Sequence, residues 1–474
     1  MSMKSDELFA AIRENRPMTL SDKVRLTLDL AVPAILSQLS ITLMQYIDAS
    51  MVGRLGAVES ASIGLVQTTI WLFSGILAAA ATGFYVQVSH ALGASDEPRA
   101  RHILRQSMVS LAVFSLCMLL LGALLSFPLP RWLGASQEVW GGATTYFGIY
   151  SLFMPVLMVN MLCAGMLRCS GNMVVPSALN VLMCVLDVVF NFFLIFPSRH
   201  VELLGHNVFI PGAGWGVAGA VLGTGLAAVI VGVIMAWFLF WKSPQLGLVK
   251  FTDERFRLKK EFVVRAVRLG LPIGLQHFVM CSAHIVITSI IAPLGTCAIA
   301  ANAFAVAAEG LCYMPGYGIA DAATTLVGQS LGAGRRDLMR RFAVISVVMG
   351  MLVMTLMGVV MYVGAPVLMG IMTNVEEICS EGVMCLRIEA WAEPMFAAAI
   401  VSYGAFVGAG DTLVPSIMNF VSMWIVRLGL SALLVVSMGL EGVWIAMCSE
   451  LCFRGIIFLL RLRGSGWMSH EVKN

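Results

Sequence analysis

Two aspartates sit where a carboxylate is expensive. Asp48 lies inside the apolar run 26–52, among Ile35, Leu36, Leu39, Ile41 and Met44, and Asp187 lies inside another, 175–197. An acid at the centre of a membrane-spanning helix costs about 2.5–3.5 kcal/mol on insertion scales, so such residues are functional by default. On a 3.6-residue helix Ser37, Ile41, Gln45 and Asp48 share a side, giving a partly polar stripe that faces protein or water rather than lipid. In the second run Asn180, Asp187 and Asn191 stand at i, i+7 and i+11, one face about 16 Å long. Oxygen-bearing side chains on one face, near a second acidic helix, suit a hard cation such as Na+. The same two carboxyls can instead carry a proton, because burial and a neighbouring like charge both disfavour double ionisation. The plainer reading of Asp187 and the two asparagines is hydrogen bonding between helices.

The other intramembrane charges fall later in the chain. Glu389 and Glu393 are i, i+4 near Arg387, and depth counted from opposite ends brings Arg427 level with Glu389. A structural Glu389–Arg427 ion pair is expected, leaving Glu393 to face a cleft. Asp321 and Glu309 are further candidates, and Gln45, Gln276, Met280, Glu393 and Asp321 form the expected substrate-cleft set. His277 and His284, seven apart, could share a face but have no metal-site spacing, so packed histidines are expected. Met154, Met158, Met161 and Met166 offer soft side chains for a cavity that accepts varied ligands. No G-x-x-x-x-G-K-[ST], G-x-S-x-G or H-E-x-x-H motif occurs, which argues against ATP-driven transport and against an enzyme.

The elements that must position these residues are membrane helices. The 474 residues are 59% hydrophobic and 12% charged, outside the range of soluble domains. Stretches of about 20 apolar residues are predicted at 26–52, 62–92, 103–127, 139–167, 175–197, 214–241, 262–292, 300–331, 342–371, 382–408, 414–437 and 440–462. This is an all-α polytopic fold of twelve spans. Of the 30 Lys and Arg, 25 fall at the chain ends and the even-numbered loops and 3 in the odd-numbered loops. The positive-inside rule then puts both termini in the cytoplasm. Residues 1–25 are too charged for a signal peptide and predict a short interfacial helix ended by Pro17. The eleven cysteines, with no C-x-x-C pair, read as reduced small hydrophobes.

An internal repeat organises the spans. Pro33 and Pro272, Leu55-Gly56 and Leu294-Gly295, Leu92-Gly93-Ala94 and Leu331-Gly332-Ala333, and Gly171/Pro176/Asn180 and Gly410/Pro415/Asn419 all differ by 239. The chain reads as two six-helix halves, 26–241 and 262–462, between an N-terminal segment 1–25, a cytoplasmic linker 242–261 and a tail 463–474. An even number of spans per repeat gives both halves the same orientation, with an axis along the membrane normal and a central cleft. Linker residues Lys250, Arg255, Arg257, Lys259 and Lys260 suit topology and anionic lipid rather than nucleic acid. A longer outer loop is predicted at 197–213. At the same offset Asp48 corresponds to Ile287 and Asp187 to Val426, so the halves are chemically unequal.

Several stretches together resemble the multidrug and toxic compound extrusion (MATE) family: "YIDASMVGRLG", "ALGA", "GQSLGA", "LGLPIGLQ", "GAGDTLVPS" and "VLDVVFNFFLIF", over about 28–463. The resemblance implies a V-shaped pair of lobes with alternating inward and outward openings. It implies export of amphipathic, often cationic compounds in exchange for Na+ or H+, with no other cofactor, by a monomer in the cytoplasmic (inner) membrane. It carries the family's first- and fifth-span acids onto Asp48 and Asp187, and a sixth-span threonine onto Thr224. Met183 stands where the family often has Asn, which leaves Asn180 or Asn191 to substitute. Met280 replaces the seventh-span glutamate of the NorM-like branch, and that branch's tenth-span acid falls near Phe396, so the chain is more similar to the DinF-like branch. A lipid-linked oligosaccharide flippase is the alternative within the superfamily, but would be expected to line its cleft with more arginines.

Overall fold

The computed structural model describes residues 3–134, 136–203, 206–250 and 258–468. Arg255 and Arg257 of the linker, and residues 469–474 of the tail, lie outside the described residues.

A backbone that crosses hydrocarbon must satisfy its own N–H and C=O groups, so the apolar runs fold as helices. In chain order these are α1 (Met3–Arg13), α2 (Leu20–Gly53), α3 (Ala57–Gly93), α4 (Glu97–Ser126), the single turn α5 (Leu129–Trp132), α6 (Gln137–Cys169), α7 (Val174–Ile195), α8 (Gly216–Trp237), α9 (Lys260–Ile291), α10 (Thr296–Gly332) and α11 (Arg336–Met372). Local chemistry sets their ends. Thr19 and Asp22 close a capping box at the start of α2, and Asp96 accepts a hydrogen bond from the Arg99 amide at the start of α4. α1 is the predicted short N-terminal helix.

The tenth crossing is broken, with α12 (Glu376–Glu389) and α13 (Glu393–Gly408) meeting at 60°. Beyond it, α14 (Leu413–Val421) continues through a π-helical stretch, Ser422–Arg427, into α15 (Leu428–Arg463). This 51-residue run is two crossings. Gly439 takes φ 59° and ψ −134°, and a methyl on Gly442 would collide with the carbonyl of Leu434, a contact that only a chain reversal brings about. The twelve predicted crossings are thus present, with boundaries moved by several residues.

The predicted outer loop is instead an antiparallel hairpin, β1 (Pro197–Leu203) and β2 (His206–Ala213), with Arg199 opposite Ile210. Ser198 fastens its base by accepting from the Gly212 amide at 3.0 Å.

Packing repeats with the sequence. α3 lies on α6 as α10 lies on α13, α4 on α6 as α11 on α13, and α2 on α7 as α9 on α14. The halves meet through α2 with α10, α3 with α9, and α3 with α10. Their seam is tight toward the face that carries the chain ends, here called the terminal face. At that face α3 and α10 cross backbone to backbone: a methyl on Gly93 would overlap the carbonyl oxygen of Gln329, and one on Gly332 that of His90. Both pairs are related by the offset of 239, so the two-fold axis passes between them. The repeated Leu-Gly-Ala motif exists because no Cβ fits at this crossing.

Hydrogen bonds close the same seam. Gln329 donates to the Cys169 carbonyl at 2.7 Å, a His90 ring nitrogen lies 2.8 Å from the Gly408 carbonyl, and Arg168 pairs with Asp321 at 2.5 Å. Toward the opposite face, the side-chain bond across the seam among the described residues is Tyr46 to the Ala307 carbonyl.

Candidate functional site: a carboxyl pair in the first half

α2 and α7 run side by side in the same direction, and two polar contacts mark their interface at one register. Asn180 donates to the Ser37 hydroxyl at 2.6 Å, and Asn191 donates to Asp48 at 2.7 Å. Each pair is 143 residues apart, as parallel helices of equal rise require. At the second contact Asn191 also donates to Asp187 at 3.2 Å, so one amide bridges the carboxyls of Asp48 and Asp187, which lie close enough to act on each other. Thr224 on α8 lies near Asp187, its hydroxyl donating to the Ala220 carbonyl at 3.2 Å. Asp187 and Asn191 are fully buried, whereas Asp48 is half-buried and Gln45, one turn away, is exposed. The site is therefore reached from the α2 side. Gly223 belongs to it as well, because any side chain there would displace the Asn191 amide oxygen.

Two carboxyl groups this close cannot both stay ionised without a positive partner. No Lys, Arg or His forms an ion pair with either among the described residues. One oxygen of Asp187 and the amide oxygen of Asn191 are buried with no hydrogen-bond partner among the described residues. Unsatisfied buried acceptors are costly, and a proton or a small hard cation would satisfy them. No cluster of three or more His, Cys, Asp or Glu suited to a metal ion occurs among the described residues, so a Na+ ion here would lean on Asn and Thr oxygens.

Several sequence expectations are corrected. Asn180 is not part of the site: it sits about 16 Å along α7 from Asn191, tied to Ser37. Glu389 and Arg427 form no ion pair. Arg427 donates to the Met447 sulfur instead, and both Glu389 carboxyl oxygens are buried near Glu309 without a hydrogen-bond partner among the described residues. Glu393 does not face a cleft; it is 0% exposed. Asp321 is engaged across the seam by Arg168 and by Gln38 at 3.3 Å. Gln276 accepts from Ser416 at 3.0 Å, and Met280 is half-buried beside it. Met154, Met158 and Met166 are core residues of the first half rather than cavity lining.

Two arginines assigned to loops are structural. Arg168 makes the seam pair, and Arg454 grips Glu450 through two bonds of 2.7 Å, with Ser422 on the same carboxylate. The i, i+4 spacing of Glu450 and Arg454 was the readable signal. All eleven cysteines are free thiols.

Twelve crossings among the described residues, in two like halves with a carboxyl pair in one, are the architecture of a membrane transporter. The family model MatE matches residues 33–193 and 272–433, two segments that begin 239 residues apart at Pro33 and Pro272. The chain belongs to the MatE family. Among curated relatives it is similar to a probable multidrug resistance protein NorM of Thermotoga maritima, 24% identical over 447 residues, covering 94% of this chain and 93% of that one. It is likewise similar to a protein of the same name from Deinococcus radiodurans, 27% identical over 461 residues, covering 93% and 96%. Among solved structures it superposes on a MATE transporter in complex with MaL6 with a TM-score of 0.84 at 20% identity, covering 93% and 96%. A Vibrio cholerae MATE transporter gives 0.84 at 19%, covering 94% and 97%. The flippase alternative finds no favour among these relatives.

Proposed function

We propose that the chain is a multidrug exporter that trades amphipathic, often cationic compounds for H+ or Na+ by alternating access. The observation that carries this reading is the Asp48–Asn191–Asp187 contact, buried without a basic partner in one half and replaced by Ile287 and Val426 in the other. Cation binding neutralises the pair and lets α2 close on α7, lowering the first lobe's affinity for drug and biasing the return step. The terminal face is the cytoplasmic one, in a bacterial inner membrane, and the seam closed there leaves the cleft open to the outside. The lobes run 26–241 and 262–462, joined by the 242–261 linker, and the working unit is a monomer in contact with lipid. Met280 at the seventh-span position supports the DinF-like reading, although the curated relatives bear NorM names.

The test is reconstitution in proteoliposomes with Na+ and proton gradients imposed separately, against a panel of cationic dyes and acidic metabolites. Uptake or efflux driven by one gradient names the ion; transport indifferent to both refutes coupling.

A further inference from the structure

The duplication builds one crevice twice at the terminal face, and the two copies are finished differently. The first copy lies where the end of α10 and the start of α11 meet the start of α2. Helix α1 covers it: Phe9 and Ile12 are buried in one apolar cluster with Leu26 and Leu338, and Arg13 donates to Gln329 at 3.3 Å. The second copy lies where the end of α3 and the start of α4 meet the start of α9. There a cavity of about 250 Å³ is lined by Gln87, His90, Asp96, Arg99, Phe262 and Arg265 among others.

At the offset of 239, Leu338 corresponds to Arg99 and Leu26 to Arg265, so an apolar floor in one copy is a basic one in the other. Asp29, which accepts from Ser5 of α1 at 2.7 Å, corresponds to Arg268. Arg99 and Arg268 both act on Arg265 as like charges, and none of the three forms an ion pair among the described residues. Among the described residues the Arg265 guanidinium reaches the His90 ring, at 3.5 Å. Asp96 is the one carboxylate in the lining, and it caps the Arg99 amide. In the lining two guanidinium groups stand against one carboxylate, and Arg268 lies exposed nearby, so the cavity keeps a net positive charge.

Guanidinium forks match the paired oxygens of phosphate, and basic pockets between membrane helices suit lipid headgroups. We propose that this cavity binds a phosphate group, carried by an anionic lipid headgroup or present as a free ion, and that the bound group ties Arg99 of the first half to Arg265 of the second. Topology alone does not account for these arginines, since a positive-inside signal needs charge in the loop and not two guanidinium groups facing one cavity from different halves.

The experiment uses the full chain in neutral detergent and follows its melting temperature during titration with phosphatidylglycerol, inorganic phosphate or phosphatidylcholine. Binding to the folded state raises the midpoint with ligand concentration. Phosphatidylglycerol should raise it and phosphatidylcholine should not; a matching response to inorganic phosphate identifies the free ion as sufficient, and its lack identifies the headgroup. Arg99→Gln with Arg265→Gln should weaken the response about tenfold, while Arg341→Gln, an exposed arginine elsewhere on the same face, should leave it intact. If the double variant does not fold, Arg99→Lys with Arg265→Lys keeps the charge and should still weaken binding several-fold through loss of the fork. No response in the wild-type chain, an equal response to phosphatidylcholine, or equal weakening by Arg341→Gln overturns the proposal.

Discussion

The acids of the first half and those of the second are both held inside the membrane, yet they keep different company. Asp48 and Asp187 come from two neighbouring helices, are joined by a neutral amide, and retain one half-exposed member. Glu309, Glu389 and Glu393 gather around the broken tenth crossing with Arg427 close by, and Glu389 and Glu393 are 0% exposed. Glu450 is neutralised outright by Arg454. Counting acids would favour the second half as the ion-handling one. Access favours the first half under the function proposed above: a coupling ion must enter and leave, and Asp48 is half-buried, whereas Glu389, Glu393 and Glu450 are 0% exposed and the partly exposed Asp321 is held by Arg168.

Substitutions can break that contrast. Asp48→Asn is expected to have the largest effect, lowering energised dye efflux by at least about tenfold while protein still reaches the membrane; wild-type efflux from everted vesicles carrying this variant would end the coupling role. Arg454→Ala should act on stability, leaving Glu450 charged and alone in the interior at a cost of about 3–5 kcal/mol. Its melting temperature in detergent should fall well below that of Asp48→Asn, and similar midpoints would erase the distinction between the two halves. Glu393→Gln should change efflux by no more than about threefold, because a sealed carboxyl has no ion traffic to lose; efflux as poor as that of Asp48→Asn would make the second half a coupling site too. Asn180→Ala should be mildest, losing one hydrogen bond worth about 1 kcal/mol with the ion dependence of transport unaltered. A changed ion dependence would extend the site along α7.

Much of this fold was legible in the chain. The offset of 239 located both halves and their crossings, since insertion into lipid demands long apolar runs and duplication preserves the residues where backbones touch, as at Gly93 and Gly332. Spacing put Asp187 and Asn191 on one helix face, and the family resemblance brought Asp48 to the same site. What spacing cannot give is depth and neighbour. Asn180 shares a helix face with Asn191 but sits two to three turns before Asp187 and Asn191, where the adjacent helix offers Ser37 rather than an acid. Arg168 and Arg454 lie near span ends, so charge counting assigned them to loops, while the structure turns each inward onto a carboxylate. The Glu389–Arg427 pairing failed because α12 and α13 bend by 60° between the two glutamates, so depth measured along a straight helix no longer applied.

The hairpin between α7 and α8 carries one more implication. Its base is stitched to both helices: the Gly214 amide donates to the Phe196 carbonyl at 3.0 Å and the Trp215 amide to the Leu194 carbonyl at 2.9 Å. Helices clipped together at one end behave as a single lever, so Asp187, Asn191 and Thr224 travel as a fixed jaw. Under the exchange mechanism proposed above, opening and shutting around an ion is then left to α2, the opposing jaw that carries Asp48.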